Sequence, residues 1–391
     1  MKTNRHNHIG NTHGRTGMAL NGRLLQMVCL TIVLLLASCS TTRHLPEGEI
    51  LYTGVEDMII ENEDKTPAGI SALEEVEAAL SYPPNNAILG SNSLRWPLPT
   101  GLWIYNSFKK YEDKKGLGRW IYDHMGANPV LISNVNPATR VKIATNLLRD
   151  YGYFNGAVSY EEIPQKNPKK AKLSYRIDMA NPYFLDSIAY LKYPVKADSL
   201  IQATRRQSVL KSGDNFSVLK LEEERQRLSE LFRNNGYYYF RPEFTTFRAD
   251  TLQKSGYVSL QVVPQTGIPD EAMKQYYIGQ TSIYLTGYNG EAPTDTLRLR
   301  NMVIHYSGDK PGVRPGVIRR NLFFQKGELY NQAKQTYSQE AIARMGIFKY
   351  AEFRYEPKDT LSTCDSLNVN IHAMFDLPYD GELELNVTTK S

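Results

Sequence analysis

Hydrophobic positions alternate with polar ones in three widely separated stretches of the chain. Leu173, Tyr175, Ile177 and Met179 fall on one face of a strand, as do Val258, Leu260 and Val262, and then Leu367, Val369 and Ile371. Each alternation follows a helical segment that ends at a glycine and runs into an aromatic strand. The three copies are NLLRDYGYFNGAVSYEEI from Asn146, SELFRNNGYYYFRPEFTTF from Ser229 and EAIARMGIFKYAEFRYEP from Glu340. Gly152, Gly236 and Gly346 stand where a helix closes on a left-handed residue. Upstream apolar residues supply an inward helix face: Ile143, Leu147 and Leu148; Leu228, Leu231 and Phe232; Tyr337, Ala341 and Ile342.

A further strand precedes each helical region, over 50–60, 183–191 and 276–285. The order strand, helix, helix, strand, strand therefore recurs three times, which predicts an α+β chain of three tandem β-α-α-β-β modules. The middle copy reads most plainly, with helices over 197–209 and 217–235 and Ser217 as the N-cap of the second. The expected layout is 1–38 leader, 39–48 linker, 49–180, 181–266 and 274–376 as modules, and 377–391 as a closing linker. Additional Gly/Pro/Asn-punctuated material interrupts the first and third modules near 85–135 and 286–312. The first insertion holds Trp96, Trp103, Tyr105, Phe108, Trp120 and Tyr122, which either pad the module's own core or rest on a membrane surface. Core padding is the reading adopted, because Lys109, Lys110, Lys114 and Lys115 are offset by Glu112 and Asp113.

The front of the chain is an address. Leu24–Ala37 is an apolar run of 14 residues behind basic Arg23. A spanning helix needs about 20, so the run predicts a secretory signal peptide. It ends in Leu36-Ala37-Ser38-Cys39, which resembles a bacterial lipobox and makes Cys39 the expected lipidation site, since the diacylglycerol is carried on a thioether. Met18 is an alternative start. Of the other cysteines, Cys29 lies in the apolar run and Cys364 has no partner, so no disulfide scaffold is available.

Composition changes the picture at two points. The net charge of +5 resides in the leader: without it, 42 basic residues face 41 acidic ones, and no footprint for nucleic acid remains. Tyrosine is abundant, 26 against 13 phenylalanines, which suits thin sheets with one wet face.

These features resemble the polypeptide-transport-associated (POTRA) domains of the BamA/TamA outer-membrane assembly family. The lipobox, Cys39-Ser40-Thr41-Thr42, Leu45-Pro46-Glu47-Gly48-Glu49 and Leu51-Tyr52-Thr53-Gly54 are similar to its lipoprotein branch, the TamA-like lipoproteins of TamL type. Pro84–Gly90 and Leu102–Asn106 share that likeness. The resemblance covers Cys39 to about Phe375. It implies a lipid-anchored, periplasm-facing array at the outer membrane. Such proteins normally continue into an outer-membrane barrel, of which only Gly381–Val387 is a candidate first strand.

In such a module the last strand is central and the preceding one lies at an edge, where another polypeptide can add as a strand. The expected edges are Ala157–Glu161, Tyr238–Phe247 and Ala351–Tyr355, with Pro242 making the second a poorer template. Ala157, Val158, Tyr160, Ala351, Phe353 and Tyr355 are the expected binding positions. The partners implied are unfolded outer-membrane clients or, alternatively, a TamB-like periplasm-spanning protein docked on a scaffold for envelope lipid transport or maintenance. No enzyme motif, cofactor, metal site or small-molecule substrate is expected. His44, His124, His305 and His372 are scattered, and Glu222 and Glu224 read as a solvated helix face.

Overall fold

The computed structural model describes residues 41–87, 94, 96, 98–361 and 363–377. Cys39, the leader, Ile88–Gly90 and Gly381–Val387 lie outside them. The chain divides into two compact units between Asn181 and Pro182. It is an α+β chain of three β-α-α-β-β modules, one in the first unit and two in the second.

The first module runs β1 (Leu51–Glu61), α1 (Pro67–Leu80), an inserted α2 (Thr100–Phe108) and α3 (Leu117–Met125), a short α4 (Ile132–Val135), α5 (Pro137–Asp150), β2 (Ala157–Pro164) and β3 (Lys170–Asp178). The second comprises β4 (Phe184–Tyr190), α6 (Val195–Ala203), α7 (Val218–Arg233), β5 (Thr245–Asp250) and β6 (Tyr257–Pro264). The third comprises β7 (Tyr277–Thr286), β8 (Asp295–Arg298), β9 (Met302–Tyr306), α8 (Pro315–Arg320), α9 (Gln332–Ala343), β10 (Phe348–Pro357) and β11 (Ser366–Phe375).

The last strand of each module is central. It pairs parallel with the first and antiparallel with the one before it, giving the orders β1-β3-β2 and β4-β6-β5. The alternating residues named above on β3, β6 and β11 are all buried. Leu148, Leu228, Phe232, Ala341 and Ile342 close the cores from the helix side. Ile143 and Tyr337 do not: both are exposed, because the apolar arc of each helix is wider than the stripe that meets the sheet.

The three glycines have φ of 91°, 99° and 66°. At the first two, the next residue donates its N–H back to the helix, Tyr153 to Leu148 O (2.9 Å) and Tyr237 to Phe232 O (3.1 Å). This Schellman closure turns the chain so that Tyr153 and Tyr237 enter their own cores.

Both insertions acquire structure. In the third module β8 and β9 extend the sheet to β10-β11-β7-β9-β8, with Met302 and Ile304 facing the core. In the first, Leu102, Trp103 and Tyr105 are buried as core padding requires, whereas Trp96 and Trp120 are exposed.

Candidate polypeptide-binding edges

In all three modules the start of the first strand is closed in the same way; that strand is a sheet edge in the first two modules, whereas in the third β8 is the outer strand on that side. The segment leading into the second helix returns to pair with the start of the first strand. Tyr52 N–H donates to Val130 O (2.9 Å), Leu185 N–H to Asp214 O (2.8 Å) and Ile278 N–H to Glu328 O (2.8 Å). Leu131, Asn215 and Leu329 are the bridge residues. This closure was not foreseen. Its signal is Gly213-Asp214-Asn215-Phe216-Ser217 and Gly327-Glu328-Leu329-Tyr330-Asn331, a repeated turn, aromatic and N-cap.

The other edge of each sheet, formed by β2, β5 and β10, has no neighbouring strand among the described residues. Along β2, Ala157 and Tyr160 are exposed and Val158 packs inward opposite Ile177. Tyr160 lies opposite buried Tyr175. On β10, Ala351 is half-buried, while Phe353 and Tyr355 point into the core opposite Ile371 and Val369. The structure thus groups Ala157, Val158 and Tyr160 on one edge and Ala351, Phe353 and Tyr355 on another. At Val158, Phe353 and Tyr355 only the backbone is on offer.

The second edge differs from the expectation in both position and reason. Tyr238–Phe240 is a turn, not a strand, and Pro242–Phe244 is a helical turn that leads into β5 at Thr245. The aromatic run serves two cores at once. Tyr237 and Phe240 pack on Phe232 at 5.3 and 4.7 Å between ring centroids, while Tyr238 meets Tyr330 (4.9 Å) and Tyr355 (5.3 Å) of the third module. Pro242 therefore removes no donor from the edge. What covers it is Arg225, whose Nε donates to Thr245 O (3.1 Å) while its guanidinium sits 5.4 Å from the Phe247 ring centroid.

Charge separates the edges as well. Ala157–Pro164 carries Glu161 and Glu162 and no cation, whereas Phe348–Pro357 alternates Lys349, Glu352, Arg354 and Glu356. Arg354 and Glu352 pair at 2.7 Å in full solvent, which contributes little to stability.

Glu224 corrects the solvated-face reading. Its carboxylate is fully buried, accepting from the hydroxyls of Tyr190 (2.5 Å) and Ser208 (3.1 Å), from Val209 N–H (3.1 Å) and from Arg227 (2.5 and 2.9 Å). Burial, followed by the hydrogen bond to this carboxylate, pushes the Tyr190 phenol up to about 12. Glu222 remains exposed, as expected. His305 and His372, far apart in sequence, sandwich Tyr284 across adjacent strands at 4.5 and 4.7 Å between centroids. No cluster of three or more His, Cys, Asp or Glu side chains that could hold a metal occurs among the described residues.

No family model matches the chain, and no curated protein does. Solved structures do. BamA and Omp85 chains are among the neighbours. POTRA3-5 of Haemophilus influenzae BamA is 13% identical, covering 85% of this chain and 99% of that one, with a TM-score of 0.36. BamA from Haemophilus ducreyi lacking POTRA domains 1-3 is 12% identical over 49% of this chain and 29% of that one, with a TM-score of 0.35. POTRA1-3 of the periplasmic domain of Omp85 from Anabaena is 12% identical over 85% and 98%, with a TM-score of 0.25. The module architecture rests on the strand pairings above.

Proposed function

We propose that this chain is the periplasmic POTRA array of an outer-membrane protein assembly or translocation factor of BamA/TamA type, lipid-anchored through Cys39. Its β2 and β10 edges receive unfolded outer-membrane segments as added strands. The observation that carries this reading is the asymmetry of the sheets. The start of the first strand is closed by the segment entering the second helix in every module, and among the described residues β5 is the one strand of β2, β5 and β10 with a backbone acceptor covered by a side chain. An added strand gains main-chain hydrogen bonds with little demand on sequence, which suits a factor with many clients.

The test uses proline at consecutive positions of β2. Along an antiparallel strand the N–H groups alternate between the partner and the open side. Of Glu161→Pro and Glu162→Pro, one removes a ladder bond to β3 and the other removes an outward donor. The outward variant is expected to keep its melting temperature and lose affinity for an unfolded outer-membrane strand peptide by roughly tenfold. Unchanged affinity in both variants overturns the augmentation mechanism. Binding of a periplasm-spanning partner at the same edges, without affinity for client peptides, selects the scaffold alternative. Mass spectrometry of the N-terminal peptide, with membrane fractionation of wild type and Cys39→Ala, tests the anchor separately.

A further inference from the structure

The inserted α2–α3 hairpin carries an apolar face that its own module does not use. On α3, Leu117, Trp120 and Met125 are 73%, 52% and 53% exposed. At 100° per residue they span one arc of the helix. The side of α3 that meets α2 and the turn after it is already filled: Tyr122 stacks on Tyr105 at 5.5 Å and Gly118 lies against the Tyr111 ring. The exposed arc is therefore not a core face left open by loose packing.

The surroundings of this face fit a lipid headgroup layer. Between Lys109 and Met125 five cations face three anions, and Lys114 and Lys115 immediately precede the helix. Lys109 is bound by Glu112 (2.8 Å), which accounts for its raised pKa, and Arg119 by Asp123 (2.6 Å). Lys115 is exposed and stands two residues before Leu117. A tryptophan and lysines bordering aliphatic side chains are the composition of a helix that lies in a membrane interface.

The start of the described chain ties this hairpin to the proposed anchor. Asn106 on α2 donates through Nδ2 to Thr41 O (3.4 Å), and Leu45 packs with Leu102, Tyr105 and Tyr122. Cys39 is two residues before Thr41, a reach of at most about 7 Å in extended chain. A lipid on Cys39 would therefore bring the bilayer to the hairpin.

We propose that α3 lies on the membrane that carries the Cys39 lipid, with Leu117, Trp120 and Met125 at the acyl boundary, and so fixes the orientation of the first module. This rests on the lipoprotein reading for the source of the membrane. A tether alone sets distance; a second contact sets direction.

The chain contains three tryptophans, Trp96, Trp103 and Trp120, of which Trp103 is buried and serves as an internal control. The lipidated full chain is placed in phosphatidylethanolamine–phosphatidylglycerol vesicles with and without brominated acyl chains. The emission assigned to Trp120 by comparison with Trp120→Phe is expected to fall roughly twofold or more on bromination, as an interfacial indole should. Leu117→Asp combined with Met125→Asp, both at exposed positions, should abolish that quenching while leaving circular dichroism unchanged. Unquenched Trp120 in the lipidated chain, or quenching that survives the double substitution, overturns the proposal. So does capture of an envelope protein by a photo-crosslinker at position 120 while the lipid arm stays negative. If mass spectrometry finds no lipid on Cys39, the anchor fails on its own. Cys39→Ala protein in lipid excess then decides α3, with Trp120 quenching required for it to stand.

Discussion

Asn331, the N-cap of α9, donates from its side-chain amide to the backbone carbonyl of Asn234 at 2.7 Å, and the Asn234 side chain accepts from Ala333 N–H at 2.9 Å. The residue that ends a helix of the second module thus helps begin one in the third. Neighbouring carbonyls are used likewise: Asn235 O accepts from Gln275 Nε2 (2.9 Å) and Gly236 O from Tyr276 N–H (2.8 Å). Helix-end groups that would otherwise need water are satisfied by the adjoining module.

This exchange predicts cooperative unfolding of the second and third modules. Asn234→Ala should lower stability by about 1 kcal/mol, the usual cost of a lost cap. It should also separate one denaturation transition into two when followed by circular dichroism and by Tyr fluorescence. A single transition at the wild-type midpoint would show that the junction contributes nothing.

Glu224 is held by four donor groups in a site without water access, and removing it leaves the half-buried Arg227 without its anion. Breaking one side of such a pair costs about 3–5 kcal/mol. Glu224→Ala should approach that loss in urea unfolding, and Glu222→Ala, on the exposed face, should stay near zero.

Tyr153 donates its hydroxyl to Asp64 Oδ2 at 2.6 Å. Burial alone would raise the Asp64 carboxyl, but bonds from Tyr153 and Thr66 outweigh it and hold the pKa below its ordinary value. A carboxyl with a depressed folded pKa contributes stability that is present above the unfolded value and is lost as pH falls through the folded one. Tyr153→Phe should therefore cost about 1 kcal/mol at pH 7 and progressively less as the solution is acidified below the ordinary aspartate range. An equal cost at pH 7 and pH 2 would assign the effect to packing.

Arg225 covers the start of β5 through Thr245 O and Phe247. Arg225→Ala should expose that edge and raise binding of strand peptides to the second module, read by nuclear magnetic resonance shifts in Thr245–Asp250. No change there would mean that β5 is closed by something other than this side chain.

Much of the fold was legible because period and punctuation agree. Leu173 to Met179 and its counterparts alternate without interruption, and glycine marks the same helix end three times. Legibility failed where one segment serves two neighbours. Tyr237–Phe240 reads as a strand by composition, yet Tyr237 and Phe240 turn into the second module's core and Tyr238 and Tyr239 into the third's, and nothing local distinguishes the two destinations. Glu224 reads as solvated because a helix face three residues wide conceals which carboxylate turns inward. The edge positions were legible as backbone, since the register follows from alternation. Their side chains were not, since Phe353 and Tyr355 face the core whereas Tyr160 remains exposed.

The central claim is strand addition at β2 and β10, and amide hydrogen exchange reads it directly. With an unfolded outer-membrane strand peptide bound, alternate amides in Ala157–Pro164 and Phe348–Pro357 should gain protection, while Thr245–Asp250 should not. Protection confined to helix surfaces, or none on either edge at saturating peptide, would contradict the account.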